Sequence, residues 1–139
     1  MSASIWASPD VVHVMAGVLL EADGRVLLAQ RPAGKHLAGA WEFPGGKCEA
    51  GESPLAALTR ELSEELGIVL QQAAPLIQVP WTYDGRNLLL DAWRVHSWQG
   101  TPQSLEGQAL RWSAPGQIDP DILAPADRPI LRALLQPVA

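Results

Sequence analysis

Cysteine is nearly absent: Cys48 stands alone among 139 residues. No intrachain disulfide and no thiolate zinc cluster can form, and a reducing compartment suits such a chain. Positive charge is also scarce, with ten basic residues against fifteen acidic ones and a net charge of −5. That balance excludes the basic footprint of a protein that grips a nucleic-acid polymer. A mononucleotide stays compatible, because metal ions can supply the positive charge locally. Long apolar runs are missing too. The longest spans residues 14–20, far short of the roughly 20 residues that cross a bilayer. Residues 1–10 carry no basic region and no apolar stretch of signal-peptide length. The expectation is a cytoplasmic protein without a membrane partner. Repeats, low-complexity segments and linkers are absent, so one domain is expected over residues 1–139, with its core at about 11–136. Apolar residues at 47 % and charged residues at 18 % give a globular composition, sufficient for a real core.

What is present begins with two apolar runs, residues 11–20 and 25–30, separated by Asp23-Gly24, a pairing that predicts a hairpin. His13 lies in the first run and reads as a satisfied strand histidine. Residues 31–39 are loop-like, Trp41-Glu42-Phe43 reads as a short strand, and Pro44-Gly45-Gly46 as a tight turn. After a loop at 47–52 comes the strongest helix signal. Ser53 is an N-cap candidate, Pro54 suits the first helical position, residues 55–66 are good helix formers, and Gly67 is a stop. Residues 76–79, 87–95 and 109–112 read as strands, Asp84-Gly85 as a turn, and residues 129–136 as a final amphipathic helix.

At 100° per residue, Glu61, Glu64 and Glu65 share one arc of about 100°. Leu55, Leu58, Leu62 and Leu66 fall on the neighbouring arc and are expected to face the core. Acidic helix faces are commonly just solvated. Here, however, a glycine turn precedes the helix, so backbone oxygens and a diphosphate can approach the same carboxylates. Hard oxygen ligands of this kind suit Mg²⁺.

Gly46, five residues, Glu52, seven residues, then Arg60-Glu61-Leu62-Ser63-Glu64-Glu65-Leu66-Gly67-Ile68 resembles the Nudix box at every fixed position. The resemblance runs from about residue 12 to 135 and is nearest the MutT-like branch. It implies an α/β Nudix fold: an α/β/α sandwich with a central mixed β-sheet, and the box as loop–helix–loop. It also implies a Mg²⁺-dependent enzyme (Mn²⁺ as substitute), a monomer or homodimer. Such an enzyme hydrolyses a nucleoside triphosphate to the monophosphate and pyrophosphate. In this branch 8-oxo-dGTP is the first expected substrate, which would be nucleotide-pool sanitation. CTP or dCTP, including 5-hydroxy and 5-methyl forms, is the alternative, and a non-catalytic nucleotide-binding regulator is a distant third.

Carried over residue by residue, the resemblance makes Glu61, Glu64, Glu65 and Glu106 the metal-binding and catalytic carboxylates. Gly45 offers a carbonyl oxygen to the metal. Arg60 orients a glutamate, and Glu52 supports the start of the helix. Arg31 and His36 would meet phosphate oxygens, with Phe43 and Arg86 nearer the base. Asp127 departs from the MutT pattern, which has an asparagine there. An ionised aspartate only accepts hydrogen bonds. It suits the amino group of cytosine or the N–H edge of guanine, and capping of the last helix is an equal alternative. Trp41, Trp93, Trp98 and Trp112 are expected in the core and its rim, and Cys48 as a plain loop residue.

Overall fold

The computed structural model describes residues 10–137; the reading of residues 1–9 as free of a signal segment lies outside them. Seven strands and two α-helices run in the order β1 (Val12–Leu19), β2 (Val26–Gln30), β3 (Trp41–Glu42), β4 (Gly45–Lys47), α1 (Pro54–Leu66), β5 (Val69–Tyr83), β6 (Arg86–Gln99), β7 (Leu110–Ser113) and α2 (Arg128–Leu135). A mixed four-stranded sheet has the order β4-β1-β6-β5, with β1 and β6 parallel. A three-stranded antiparallel sheet has the order β3-β2-β7.

Alternation along β1 divides the core. Met15 and Leu19 point to the α1 side and pack with Leu27, Ala57, Leu58, Leu62, Leu66, Ile68 and Val95. Ala16 and Val18 point the other way and pack with Val26, Leu28, Phe43, Leu123, Ile130 and Leu131, the α2 side. The helices therefore cover opposite faces, as the expected α/β/α layering requires. A Cβ on Gly17 would lie 3.3 Å from Leu58 and 3.4 Å from Leu62, so glycine there lets α1 sit close on β1. Leu58, Leu62 and Leu66 are fully buried, each contributing about 1.5–3 kcal/mol of hydrophobic stabilisation. Leu55, expected with them, is 41 % exposed and lies outside that cluster.

The hairpin expected at Asp23-Gly24 is only half realised. The turn forms, with Gly24 N–H donating to Glu21 O and Glu21 N–H to Arg25 O. Beyond the single bridge Leu20–Val26, however, the strands part into different sheets. Both are buried on both faces, so each needs more cover than a two-stranded ribbon supplies. β5 is far longer than residues 76–79 suggest. Its polar, proline-containing stretch hides the strand pattern: bulges between Leu70 and Ile77 absorb it, and Pro75 and Pro80 are tolerated because β5 is a sheet edge. No helix among the described residues is long and apolar enough to cross a membrane.

Candidate active site

The box forms because backbone, not side chains, meets β1. Gly45 and Gly46 pair with Ala16 and Met15 in β4, and Gly17 N–H donates to Pro44 O at 2.7 Å. A Cβ on Gly45 would fall 1.9 Å from the Met15 carbonyl oxygen, and one on Gly46 2.4 Å from the Glu61 carboxyl carbon. Only glycine allows the turn to lie against both the strand and the helix carboxylates. The turn then runs to α1, whose first orphan donor is met by Ser53 Oγ accepting from Ala56 N–H, and whose end is set by Gly67 in the left-handed region (φ 70°).

Arg60 fastens the loop to the helix. Its Nε and Nη2 donate to the two oxygens of Glu52 at 2.8 and 2.9 Å, and Nη2 also donates to Lys47 O at 3.0 Å. Nη1 donates to Glu61 Oε1 at 2.9 Å and to Glu64 Oε2 at 3.3 Å. The bidentate partner is thus Glu52, and the same guanidinium orients Glu61 and Glu64 from its other edge. Glu52 also accepts from Glu49 N–H, and chiefly the Arg60 bond holds its carboxyl down at about 2.

Glu65 turns inward, with Oε2 accepting from Gly45 N–H at 3.1 Å. Burial first, then the charges of Glu61, Glu106 and Glu42, push its carboxyl up to about 8. A half-buried carboxyl under the charge of three others is a place that lacks positive charge. The donors are all hard oxygens, so the residues fit a divalent cation of the Mg²⁺ type. Among the described residues, no three acidic, histidine or cysteine side chains stand close enough to enclose an ion by themselves. The reason is visible: Glu61 and Glu64 lean on Arg60, while Glu65 leans on Gly45. A Mg²⁺ site completed by waters and substrate phosphates needs no closed cage.

Beside this face opens a cavity of about 630 Å³, within the range of small-molecule sites. Its lining includes Gly45, Gly46, Arg31, His36, Phe43 and Asp127, so most of the expected substrate residues do converge. Their attachments differ from simple expectation. Arg31 Nη1 donates to Glu42 Oε2 at 2.9 Å and its Nε to His36 O at 2.7 Å. The His36 ring packs on Tyr83 with centroids 4.2 Å apart and planes tilted by 34°, and Nδ1 meets the Tyr83 hydroxyl at 3.1 Å. Phe43 is buried. Arg86 begins β6, exposed, and is not among the residues lining the cavity. Glu106 is exposed on the β6–β7 loop, close enough for its charge to act on Glu65.

Asp127 is 6 % exposed, and Oδ2 accepts from Phe43 N–H at 2.9 Å. It makes no side-chain cap bond to α2, which removes the capping alternative. Ala124 N–H donates to Trp41 O, so residues 124–127 are stitched to residues 41–43 at two points. Burial, the largest cause, pushes the Asp127 carboxyl up to about 8, with Glu42 adding to the rise. A carboxyl held in its acid form can donate as well as accept.

Sequence reasoning missed Glu42, Trp81 and Tyr83, all of which line the cavity. Glu42 had a signal: a charge inside an aromatic two-residue strand. Burial raises its pKa against the pull of Arg31. It also missed Asp91, buried and satisfied by His13 Nε2 and Trp93 Nε1, both at 2.9 Å. This accounts for His13 as a structural histidine. Trp41, Trp93, Trp98 and Trp112 pack at the core margins as expected. Cys48 is half-buried, and burial raises its thiol pKa, which lowers its thiolate fraction.

With fold and site in place, the chain can be set beside known proteins. Residues 15–133 match the family model described as the NUDIX domain, and the chain belongs to that family. It is 45 % identical over 125 residues to the CTP pyrophosphohydrolase of Escherichia coli K12, covering 90 % of this chain and 92 % of that one. It is 32 % identical over 123 residues to the 8-oxo-dGTP diphosphatase of the same organism, covering 88 % and 95 %. The solution structure of the E. coli ORF135 protein superposes with a TM-score of 0.81 at 44 % identity, covering 91 % of this chain and 89 % of that one. The crystal structure of MutT NUDIX hydrolase from Burkholderia pseudomallei gives 0.80 at 31 %, covering 88 % and 96 %.

Proposed function

We propose that this chain hydrolyses a cytosine nucleoside triphosphate to the monophosphate and pyrophosphate, with Mg²⁺ held by Glu61, Glu64, Glu65 and Glu106 and by the Gly45 carbonyl. The chain is a hydrolase of phosphoric anhydride bonds by its family. The observation behind this reading is Asp127, a buried acid anchored through Oδ2 and lining the cavity. As a neutral acid it offers O–H to cytosine N3 and accepts from the N4 amino group, a complementary pair. The N1–H and N2 amino edge of guanine offers two donors and suits an ionised carboxylate, whereas its O6 and N1–H edge suits a neutral acid as cytosine does. Greater identity to the CTP enzyme than to the 8-oxo-dGTP enzyme supports the same reading. The oxidised-purine reading is supported by the shared MutT-like architecture.

A divalent cation bound at the carboxylates supplies neutralisation of phosphate charge and an acidified water. The chain's own contribution is placement. Arg60 keeps Glu61 aimed at the loop, Gly45 N–H fixes Glu65, and the carboxylates offer a proton acceptor for the attacking water. The base lodges against Asp127 and Phe43, which leaves the phosphates over the glycine turn.

The test is kcat/KM for CTP, 5-hydroxy-dCTP, dGTP and 8-oxo-dGTP in Mg²⁺, with monophosphate and pyrophosphate both quantified. Preference for the cytosine nucleotides supports the reading. Preference for 8-oxo-dGTP moves the chain to oxidised purines, and turnover of none refutes both substrate readings.

A further inference from the structure

Residues 101–109, between β6 and β7, fold back over the C-terminal end of α1. A helix ends in carbonyls without intrahelical donors, and this loop provides donors for them. Gln103 N–H donates to Leu66 O at 3.0 Å and Leu105 N–H to Glu65 O at 3.2 Å. The Gln108 side chain adds a third bond, Nε2 to the same Glu65 oxygen at 3.2 Å. The other half of that amide faces its own loop: Oε1 accepts from Glu106 N–H at 3.0 Å and from the Ser104 hydroxyl at 3.0 Å. The Ser104 hydroxyl also bonds to the Gln108 carbonyl.

One planar amide therefore joins the backbone of Glu106 to the backbone of Glu65. We infer that Gln108 is a positioning residue, which sets Glu106 against Glu65 so that both carboxylates meet one divalent cation. This rests on the proposed reading of Glu65 and Glu106 as cation ligands. A side-chain amide is suited to the task because donor and acceptor share one rigid plane; asparagine is a methylene too short. Capping alone does not require it, since Leu105 N–H already satisfies Glu65 O. The loop has other anchors as well: a Cβ on Gly67 would lie 3.2 Å from Leu105 Cδ1, so that leucine packs against the helix end. Loss of the amide leaves the loop docked and Glu106 free to drift.

The test uses Mn²⁺ alone as probe, with no nucleotide, its binding to the full chain followed by electron paramagnetic resonance of free Mn²⁺. Gln108→Met keeps the length and loses all three bonds of the side-chain amide. Gln108→Leu also loses them without adding charge, and it provides a second variant should the first fold poorly. Each is expected to weaken Mn²⁺ binding about tenfold, the lower end of what groups supporting metal ligands typically contribute. The midpoint of thermal unfolding should stay within about 3 °C. Glu106→Gln should also weaken binding, and adding Gln108→Met to it should cause no further loss, because the amide then has no carboxylate to place. Unchanged Mn²⁺ affinity in both Gln108 variants overturns the inference, as does a double variant in which the two losses multiply. If Glu106→Gln binds Mn²⁺ as tightly as the native chain, the ligand reading itself has failed, and that single variant identifies the failed premise.

Discussion

Asp127→Asn should flatten part of the pH dependence of folding stability. In the folded chain the carboxyl titrates near 8, against 3.8 for an ordinary aspartate. Between those values the native state holds a proton that the unfolded state has released. Unfolding then liberates a proton, so stability is highest below the unfolded value and is lost as pH rises towards 8. One proton corresponds to at most about 1.4 kcal/mol per pH unit. From pH 5 to pH 8 the native chain should therefore lose about 2–4 kcal/mol through this residue. Asparagine retains an oxygen for the Phe43 N–H and cannot titrate, so the variant omits that loss. Glu42 and Glu65 have raised values in both proteins, which makes the difference between the two profiles the relevant quantity. Urea denaturation at pH 5, 6.5 and 8 in EDTA gives it directly. A native-minus-variant stability that falls by about 2 kcal/mol or more is expected. A difference that stays constant across the range would refute the picture of a buried, protonated Asp127, and with it the cytosine-pairing argument.

Glu65→Gln should reduce turnover by more than the about 10–100-fold typical of groups that only support metal ligands, with folding intact; turnover within twofold of native would contradict its central place. Gly46→Ala puts a methyl 2.4 Å from the Glu61 carboxyl, the far end of a flexible side chain, whereas Gly45→Ala drives one into the Met15 carbonyl. The first should therefore fold normally and hydrolyse at least about tenfold more slowly, and the second should unfold several degrees lower by circular dichroism. Arg60→Ala leaves Glu52, Glu61 and Glu64 without their shared cation, so the Mg²⁺ concentration for half-maximal rate should rise; an unchanged Mg²⁺ dependence would count against an orienting role. If water attacks the inner (β) phosphorus, hydrolysis in ¹⁸O-water should label pyrophosphate, and label in the monophosphate would exclude that site of attack.

The box was legible in the sequence because its residues are local. Glycines, Glu52 and the α1 carboxylates lie within 23 consecutive positions, 46–68, and helical periodicity places the glutamates on one face. The strand partners were not legible. Asp23-Gly24 gives a turn, but which sheet each flanking strand joins depends on β6 and β7, many residues away. The cavity was half legible. Arg31, His36, Phe43 and Asp127 were named through the family resemblance, yet the Arg31–Glu42 pair and the bond from Phe43 N–H to Asp127 join distant segments. The same holds for protonation. Asp127 reads as an ionised acceptor in sequence, and only its burial in the fold turns it into an acid that also donates. Gln108 was legible only as part of the Leu105-Glu106-Gly107-Gln108 string that resembles the family's segment with an extra metal-binding Glu, and its own role lies in the helix end it touches.

The most direct measurement is CTP hydrolysis in Mg²⁺ by the native chain and Glu65→Gln side by side, with EDTA as control and both products quantified. Equal amounts of CMP and pyrophosphate from the native chain, abolished by EDTA and lost in the variant, are the predicted result. Turnover that survives EDTA, or that Glu65→Gln retains in full, would contradict hydrolysis at the α1 carboxylates.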